Sequence, residues 1–301
     1  MKKTLLGLLV VVTLAVVSIV ACKKGADESV ANVKSEKPVL LGEFTPYRLD
    51  VTGNKATIGF VQSARLFSLD TRQHEDLLTQ LRAARDNDEP IRVNIYEGTN
   101  EIAGVEKASR PAIEAYQASK TTKQVVRSEN MPIIPDLATL NSLFNLCKTP
   151  TIPYKYAADG CYARAHKMRQ ILLAQGYDCD KLFVYGNLAA NTGSCCVYWG
   201  YHVAPLVRFK DAAGVVQLRI LDPSLFTGPV DQTTWLNKCR DINCDSGAGI
   251  SGTSQQPGNV YVRVSTGTLI YDDNYAKTNC TITAYTGLSG CIATGNNSAC
   301  W

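Results

Sequence analysis

The stretch "DGCYARAHKMRQILLAQG", residues 159–176, places Cys161 in the first turn of a segment that reads as an amphipathic helix ended by Gly176. A cysteine reacts as its thiolate, and an ordinary thiol with a pKa near ~8.5 is mostly protonated at neutral pH. A helix N-terminus favours the anion, because its unpaired N–H groups and positive dipole end face a negative sulfur. Cys161 takes that place if Asp159 or Gly160 caps the helix, and its own backbone N–H can then also donate to an oxyanion. The chemistry this supports is attack on a carbonyl carbon and passage through a thioester.

Such a nucleophile needs a base, and beyond residue 130 the chain holds two histidines, His166 and His202. His166 is five residues along the same helix, roughly 140° around from Cys161, so it points elsewhere and reads as a packing or solvated histidine. His202 lies in "YWGYHVAPLVRF", a strand by its aromatic and β-branched content, joined through "KDAAG" to the next strand, "VVQLRILDPSLF". A hairpin centred on Ala212 would set Asp222 opposite His202. Opposed Cβ atoms lie ~5 Å apart, close enough for a carboxylate to orient an imidazole. The candidate triad is Cys161, His202 and Asp222, in the chain order of papain-like and transglutaminase-like enzymes.

The elements around these residues divide the chain of 301 residues, 45% hydrophobic, into distinct regions. "MKKTLLGLLVVVTLAVVSIVAC", residues 1–22, has the dibasic start, apolar run and small residue before cysteine of an export signal, with Cys22 as the expected lipidation site of a lipoprotein-type cleavage box. Residues 23–45 are polar and aperiodic and suit a tether. A small folded unit, about 46–125, follows with "KATIGFVQSARLFSLD" as a bent strand, "TRQHEDLLTQLRAARDN" as a helix under a threonine cap, and "PIRVNIYEG" as a strand. The basic stretch "RPAIEAYQASKTTKQVVRSENMPIIP" reads as an exposed connection open to proteolysis, with cleavage expected near residues 128–132. From 131 to 301, helices including "DLATLNSLFNLC" precede antiparallel-looking strands, which is an α+β pattern.

The formal net charge of +4 is spread along the chain without an aromatic-flanked basic face, so nucleic acid is not an expected partner. The two histidines of the second half show no metal-ligand spacing, and no metal or other cofactor is expected. All ten cysteines after Cys22 lie at or beyond Cys147, and in an exported chain paired thiols are the default. With Cys161 free, parity requires a second unpaired thiol, for which Cys147 is the candidate. Cys195 and Cys196 should pair with different cysteines, and Cys239 with Cys244 and Cys280 with Cys291 are plausible short loops.

"DLATLNSLFN", "DGCYARAHKMRQIL", "GYDC", "FVYGNL", "TGSCCV", "YHVA", "ILDPSLF" and "GNVY" occur in an order and spacing that resemble the bacterial protein-glutaminase family. The upstream "NDEPIRVNIY" and "NEIAGVEKAS" resemble that family's pro-region. The resemblance implies a secreted enzyme with a transglutaminase-like core that deamidates protein- or peptide-bound glutamine. It implies Cys161 as nucleophile, His202 as base and Asp222 as its orienting partner, in agreement with the spacing. It also implies a precursor silenced by its own pro-region and matured by a protease. The chain near Ser63, Ala64 and Arg65, apolar yet interrupted by small and polar residues, is the expected cleft-filling segment. "NLCKTPTIPYKY" departs from the family pattern, being shorter and without the usual cysteine pair. A transglutaminase or cysteine peptidase with the same triad, or a disulfide-stabilised binding lipoprotein, remains open on the residues alone. The mature enzyme is expected to be a monomer.

Overall fold

The computed structural model describes residues 37–120, 132–292 and 295–301. The expected signal peptide with Cys22, the first part of the tether and nearly all of the expected cleavage zone lie outside them.

The first half of the chain is ordered earlier than its composition suggests, because β1 (Pro38–Phe44) falls within the stretch expected as tether. It pairs with β5 (Ile91–Tyr96), which pairs in turn with β6 (Ile102–Lys107), giving a three-stranded antiparallel sheet. The expected helix is α1 (Glu75–Asp86), and His74, not the threonine, occupies its N-cap position without a side-chain cap. Leu77, Leu78 and Leu81 face inward at the three-and-four spacing of a core-facing helix. They join Phe44, Phe60, Phe67, Val93 and Ile102 in a hydrophobic core belonging to this region.

The expected bent strand is a hairpin. β3 (Lys55–Phe60) and β4 (Ser63–Asp70) are separated by a turn at Val61 and Gln62, and β2 (Pro46–Thr52) pairs β3 on its other side. The first part of the basic connection is also structured, as α2 (Arg110–Ser119), where the Ser109 side chain accepts from the Ala112 N–H and Pro111 sits in the first turn.

In the second half β7 (Asp180–Asn191) and β8 (Cys196–Lys210) form the long central pair. β10 (Gly249–Pro257) adds outside β7, while β9 (Val216–Ile220) adds to the end of β8. Beyond β8 the same sheet continues into β4, β3 and β2, so the first half of the chain extends the sheet of the second half. The bridge is narrow, pairing Arg65 with Trp199. Gly200 permits the approach, since a Cβ there would lie 2.8 Å from a Leu66 methyl and 2.9 Å from the Tyr47 hydroxyl.

α3 (Leu137–Cys147), capped by Asp136, and α4 (Cys161–Ala174) lie beside this sheet together with α6 (Ala276–Tyr285). α4 is less amphipathic than its sequence suggests, because residues 161–166 are all buried. Among the described residues no helix is long and apolar enough to cross a membrane.

Three disulfides join Cys195 to Cys291, Cys196 to Cys244 and Cys280 to Cys300, so both expected short loops are corrected. Cys239 is buried at the end of α5 (Gln232–Lys238), while Cys244 is held against the start of β8 by the Tyr198 hydroxyl donating to its carbonyl. That proximity selects Cys196 over the sequence neighbour. Cys147, Cys161, Cys179 and Cys239 are free and buried.

Candidate active site

Gly160 makes the turn that starts α4. Its φ of +82° suits only glycine, and an added Cβ would meet the Tyr285 ring at 2.7 Å. The Asp159 carboxylate accepts from the Gly160 N–H at 2.7 Å, and Cys161 follows as the first helical residue, 1% exposed.

His202 reaches the same region from β8, where it stands opposite Val184. Its ring is stacked between Trp199, with centroids 4.5 Å apart, and Trp235, 5.5 Å away. The next residue, Val203, directs its backbone N–H at the Cys161 sulfur.

The β8–β9 register differs from expectation. Leu206 pairs with Ile220 and Lys210 with Val216, which centres the hairpin on Ala213, one residue late. Continued, that register would place Ser224 opposite His202. Instead β9 stops at Ile220, Leu221 donates to the Pro205 carbonyl at 3.0 Å, and the turn at "DPS" carries Asp222 to the ring. His202 Nε2 lies 2.8 Å from Asp222 Oδ2.

Trp235 Nε1 donates to the same oxygen at 2.9 Å, and the Ser224 hydroxyl and N–H donate to Oδ1. Burial alone would raise the Asp222 pKa. The His202 charge and these hydrogen bonds outweigh it and hold the carboxyl below the ordinary carboxylate range. His202 Nδ1 is buried and makes no hydrogen bond among the described residues.

Burial pushes the Cys161 thiol from about 9 up to about 12, against the opposing pull of Arg164 and the Val203 N–H. Cys147 is raised to about 12 by the same cause. Folding therefore favours their protonated forms. This contribution is complete below the ordinary thiol value and is lost as pH rises from about 9 towards 12. The urea midpoint of the full chain is expected to fall between pH ~8 and pH ~10.5, each thiol contributing at most about 1.4 kcal/mol per pH unit. An unchanged midpoint would contradict the burial argument.

The expected cleft-filling residues meet this site directly. Ser63 Oγ donates to Asp159 Oδ2 at 2.6 Å and the Ala64 N–H to Asp159 Oδ1 at 3.0 Å. Ser63, Ala64 and Arg65 are at most 2% exposed. Arg65 turns back into its own region, with its guanidinium on Asn100 and over the Phe67 ring. The Tyr162 hydroxyl donates to the Gln62 carbonyl at 2.9 Å.

His166 does point away. It is buried against Lys181, whose Nζ lies 2.6 Å from His166 Nδ1, and its other nitrogen faces the Asp272 carbonyl at 3.2 Å. Burial lowers both groups, Lys181 to about 7.

Sequence reasoning missed Asp159 as an acceptor and both tryptophans flanking His202. For Trp235 a signal existed in "DQTTW", since the Asp231 side chain accepts from the Thr234 N–H as an N-cap and fixes α5. Among the described residues no three His, Cys, Asp or Glu side chains gather as a metal site.

Helices packed beside an antiparallel sheet, with a thiol at a helix start, an imidazole on a central strand and a carboxylate just past the end of the neighbouring strand, define the transglutaminase-like and papain-like class of α+β proteins. The sequence model of a family described as glutaminase matches residues 140–239. A crystal structure of a mutant pro-protein-glutaminase is 40% identical, covering 88% of this chain and 100% of its own, at a TM-score of 0.80. Another pro-protein-glutaminase crystal structure is 41% identical over 84% of this chain and 95% of its own, at 0.76. The solution structure of protein-glutaminase from Chryseobacterium proteolyticum is 52% identical over 53% of this chain and 91% of its own, at 0.50. Among curated proteins no sequence matches. The chain belongs to the protein-glutaminase family.

Proposed function

We propose that this chain is the precursor of an enzyme that deamidates protein- or peptide-bound glutamine through a Cys161 thioester. The observation that carries the reading is the buried His202–Asp222 pair, which leaves His202 Nδ1 without a hydrogen bond, one residue before Val203, whose N–H faces the Cys161 sulfur. The Cys161 thiolate attacks the side-chain carboxamide carbon, and backbone N–H groups at the helix start, including that of Cys161, stabilise the oxyanion. His202 as its imidazolium gives a proton to the departing ammonia, leaving the thioester. It then takes a proton from water, whose oxygen attacks the thioester carbon and releases glutamate and the thiol. Asp222 holds the imidazole in place and stabilises its charged form. These steps use side chains and water alone.

The pro-region, residues 23–130, silences the precursor in two ways. Its Ser63 hydroxyl and Ala64 N–H occupy the site through Asp159, and the burial it completes keeps the Cys161 thiol protonated. Tethering supports this block through a high effective concentration. The turn contains a glutamine, Gln62, whose carboxamide is turned back onto Thr45, accepting from its N–H and donating to its hydroxyl. Cleavage near 128–132 releases the domain 131–301, which acts outside the cell. A lipid on Cys22 would hold only the precursor.

The test is ammonia release from a glutamine-containing protein by the full chain before and after limited proteolysis of the 120–131 connection, with intact mass recorded. The cleaved enzyme is expected to add about one mass unit to its substrate per ammonia released, and the precursor to release little. Fragmented substrate would indicate a peptidase. Incorporation of an added amine would indicate a transglutaminase.

A further inference from the structure

Arg164 is 2% exposed and has no part in the chemistry described so far. Three residues along α4 from Cys161, it stands about 60° around the helix, so the two side chains share a face that His166 does not. Helical side chains lean towards the N-terminus, and the Arg164 guanidinium reaches back to the turn that precedes Cys161. Its Nη1 donates to the Asp159 carbonyl at 2.6 Å and to the Tyr156 carbonyl at 3.0 Å, and it lies 3.5 Å from where a Cβ on Gly160 would be. Nη2 is buried and makes no hydrogen bond among the described residues.

A buried guanidinium is ordinarily paired with a carboxylate, because an uncompensated charge is costly to desolvate. Both acceptors of Arg164 are uncharged carbonyls, so its positive charge acts on the site around it. That site is short of positive charge. Burial is the largest effect against the Cys161 thiolate, and the Asp159 and Asp222 carboxylates add to it, while Arg164 and the Val203 N–H oppose it. The other titratable groups felt at the sulfur, Tyr47, Tyr201, Tyr261 and Cys239, are held neutral by burial. Once the thiolate forms, it and the two carboxylates are answered by the imidazolium of His202 and by the helix N-terminus, which supplies only about half a charge. A second full cation brings the site close to balance, and an arginine keeps its charge at every working pH.

We propose that Arg164 is a positioning residue of the active site, its guanidinium serving as the fixed counter-charge of the Cys161 thiolate while it clamps the Tyr156 and Asp159 carbonyls of the turn that sets Cys161 in place. This rests on the reading of Cys161 as nucleophile. It accounts for a buried cation without a carboxylate partner, and it assigns the charge half of the task to Arg164 and the proton half to His202.

The experiment follows iodoacetamide alkylation of Cys161 against pH in the full chain after proteolytic activation, for wild type, Arg164→Gln and Arg164→Lys. Glutamine keeps one donor for the turn and removes the charge, whereas lysine keeps the charge and gives up the planar fork. The rate constant per reactive thiol does not depend on how many molecules are folded, so partial misfolding does not imitate the result. The Arg164→Gln midpoint is expected to rise by about one pH unit, making alkylation roughly 10-fold slower at neutral pH, with the rates converging at high pH. Arg164→Lys is expected closer to wild type than to Arg164→Gln. Ammonia release from a glutamine peptide should recover with pH in the same order. An unshifted midpoint in both variants, the same shift in both, or a loss equal at every pH would overturn the inference while leaving deamidation standing. No alkylation of Cys161 in the activated wild type would overturn the nucleophile itself, and this inference with it.

Discussion

The activated Cys161→Ser enzyme is expected to release ammonia roughly 10⁴- to 10⁶-fold more slowly than wild type, the scale seen when a triad nucleophile is removed. The serine hydroxyl is a far weaker acid than the thiol, and nothing at the start of α4 brings its proton within reach of neutral pH. His202 would have to remove that proton in the attacking step. In the proposed mechanism the thiolate is instead favoured by the helix N-terminus and the Val203 N–H, which already oppose the effect of burial on Cys161. The substitution removes little volume, and the Val203 N–H can donate to an oxygen as it does to sulfur, so the urea midpoint should move little. Alkylation without prior reduction gives an independent reading. Cys147, Cys179 and Cys239 are buried and free in the same molecule, so labelling after activation should fall on Cys161 and vanish in the variant. Activity retained by Cys161→Ser, or labelling spread over the other three thiols, would sink the assignment.

The residues at the centre of this site were legible because their signals are local. Cys161 follows a glycine at the start of a periodic segment, and His202 sits in a strand too rich in aromatic and branched residues to be anything else. The pairing of His202 with Asp222 was reached through a register that the structure does not use. A two-residue error in the expected partner was absorbed because the chain leaves β9 at Ile220 and turns at Pro223. Adjacency survived where register did not, since a strand end beside a hairpin can reach several cross-strand positions.

What the sequence concealed is long-range. Cys239 and Cys244 are five residues apart, yet Cys244 is joined to Cys196 because α5 turns Cys239 inward. β10 reads "GISGTSQQP", polar and small, and is a strand only because β7 offers it an edge. The β3–β4 turn at Val61 and Gln62 looks like a strand bend because both residues are buried, as a surface turn would not be. Its burial is the contact with the second half of the chain. Apolar patterning reports burial and does not say against what.

Asp222→Asn is expected to lower kcat by about 10³- to 10⁴-fold with KM little changed, after the loss seen when a triad carboxylate becomes an amide. The hydrogen bonds around the carboxylate explain why no orientation of the amide is neutral. Asp222 Oδ2 accepts from both His202 Nε2 and Trp235 Nε1, while Oδ1 accepts from the Ser224 N–H and hydroxyl. An asparagine with its NH₂ on the Oδ2 side opposes the Trp235 N–H and obliges His202 to accept at Nε2. The ring proton then sits on Nδ1, the nitrogen needed towards the thiol. With the NH₂ on the Oδ1 side the tautomer is kept, but the Ser224 N–H loses its acceptor and the imidazolium loses its counter-charge. In the first case the base is absent, and in the second the charged ring that protonates ammonia is destabilised. Titration of the Cys161 thiol separates this from damage to the fold, since a partly unfolded enzyme loses sites whereas loss of the counter-charge slows every site. Trp235→Phe keeps the ring beside His202 and removes one donor to Oδ2, so it should fall between wild type and Asp222→Asn. A full rate in Asp222→Asn, or a Trp235→Phe enzyme slower than it, would show that the carboxylate does not act through His202.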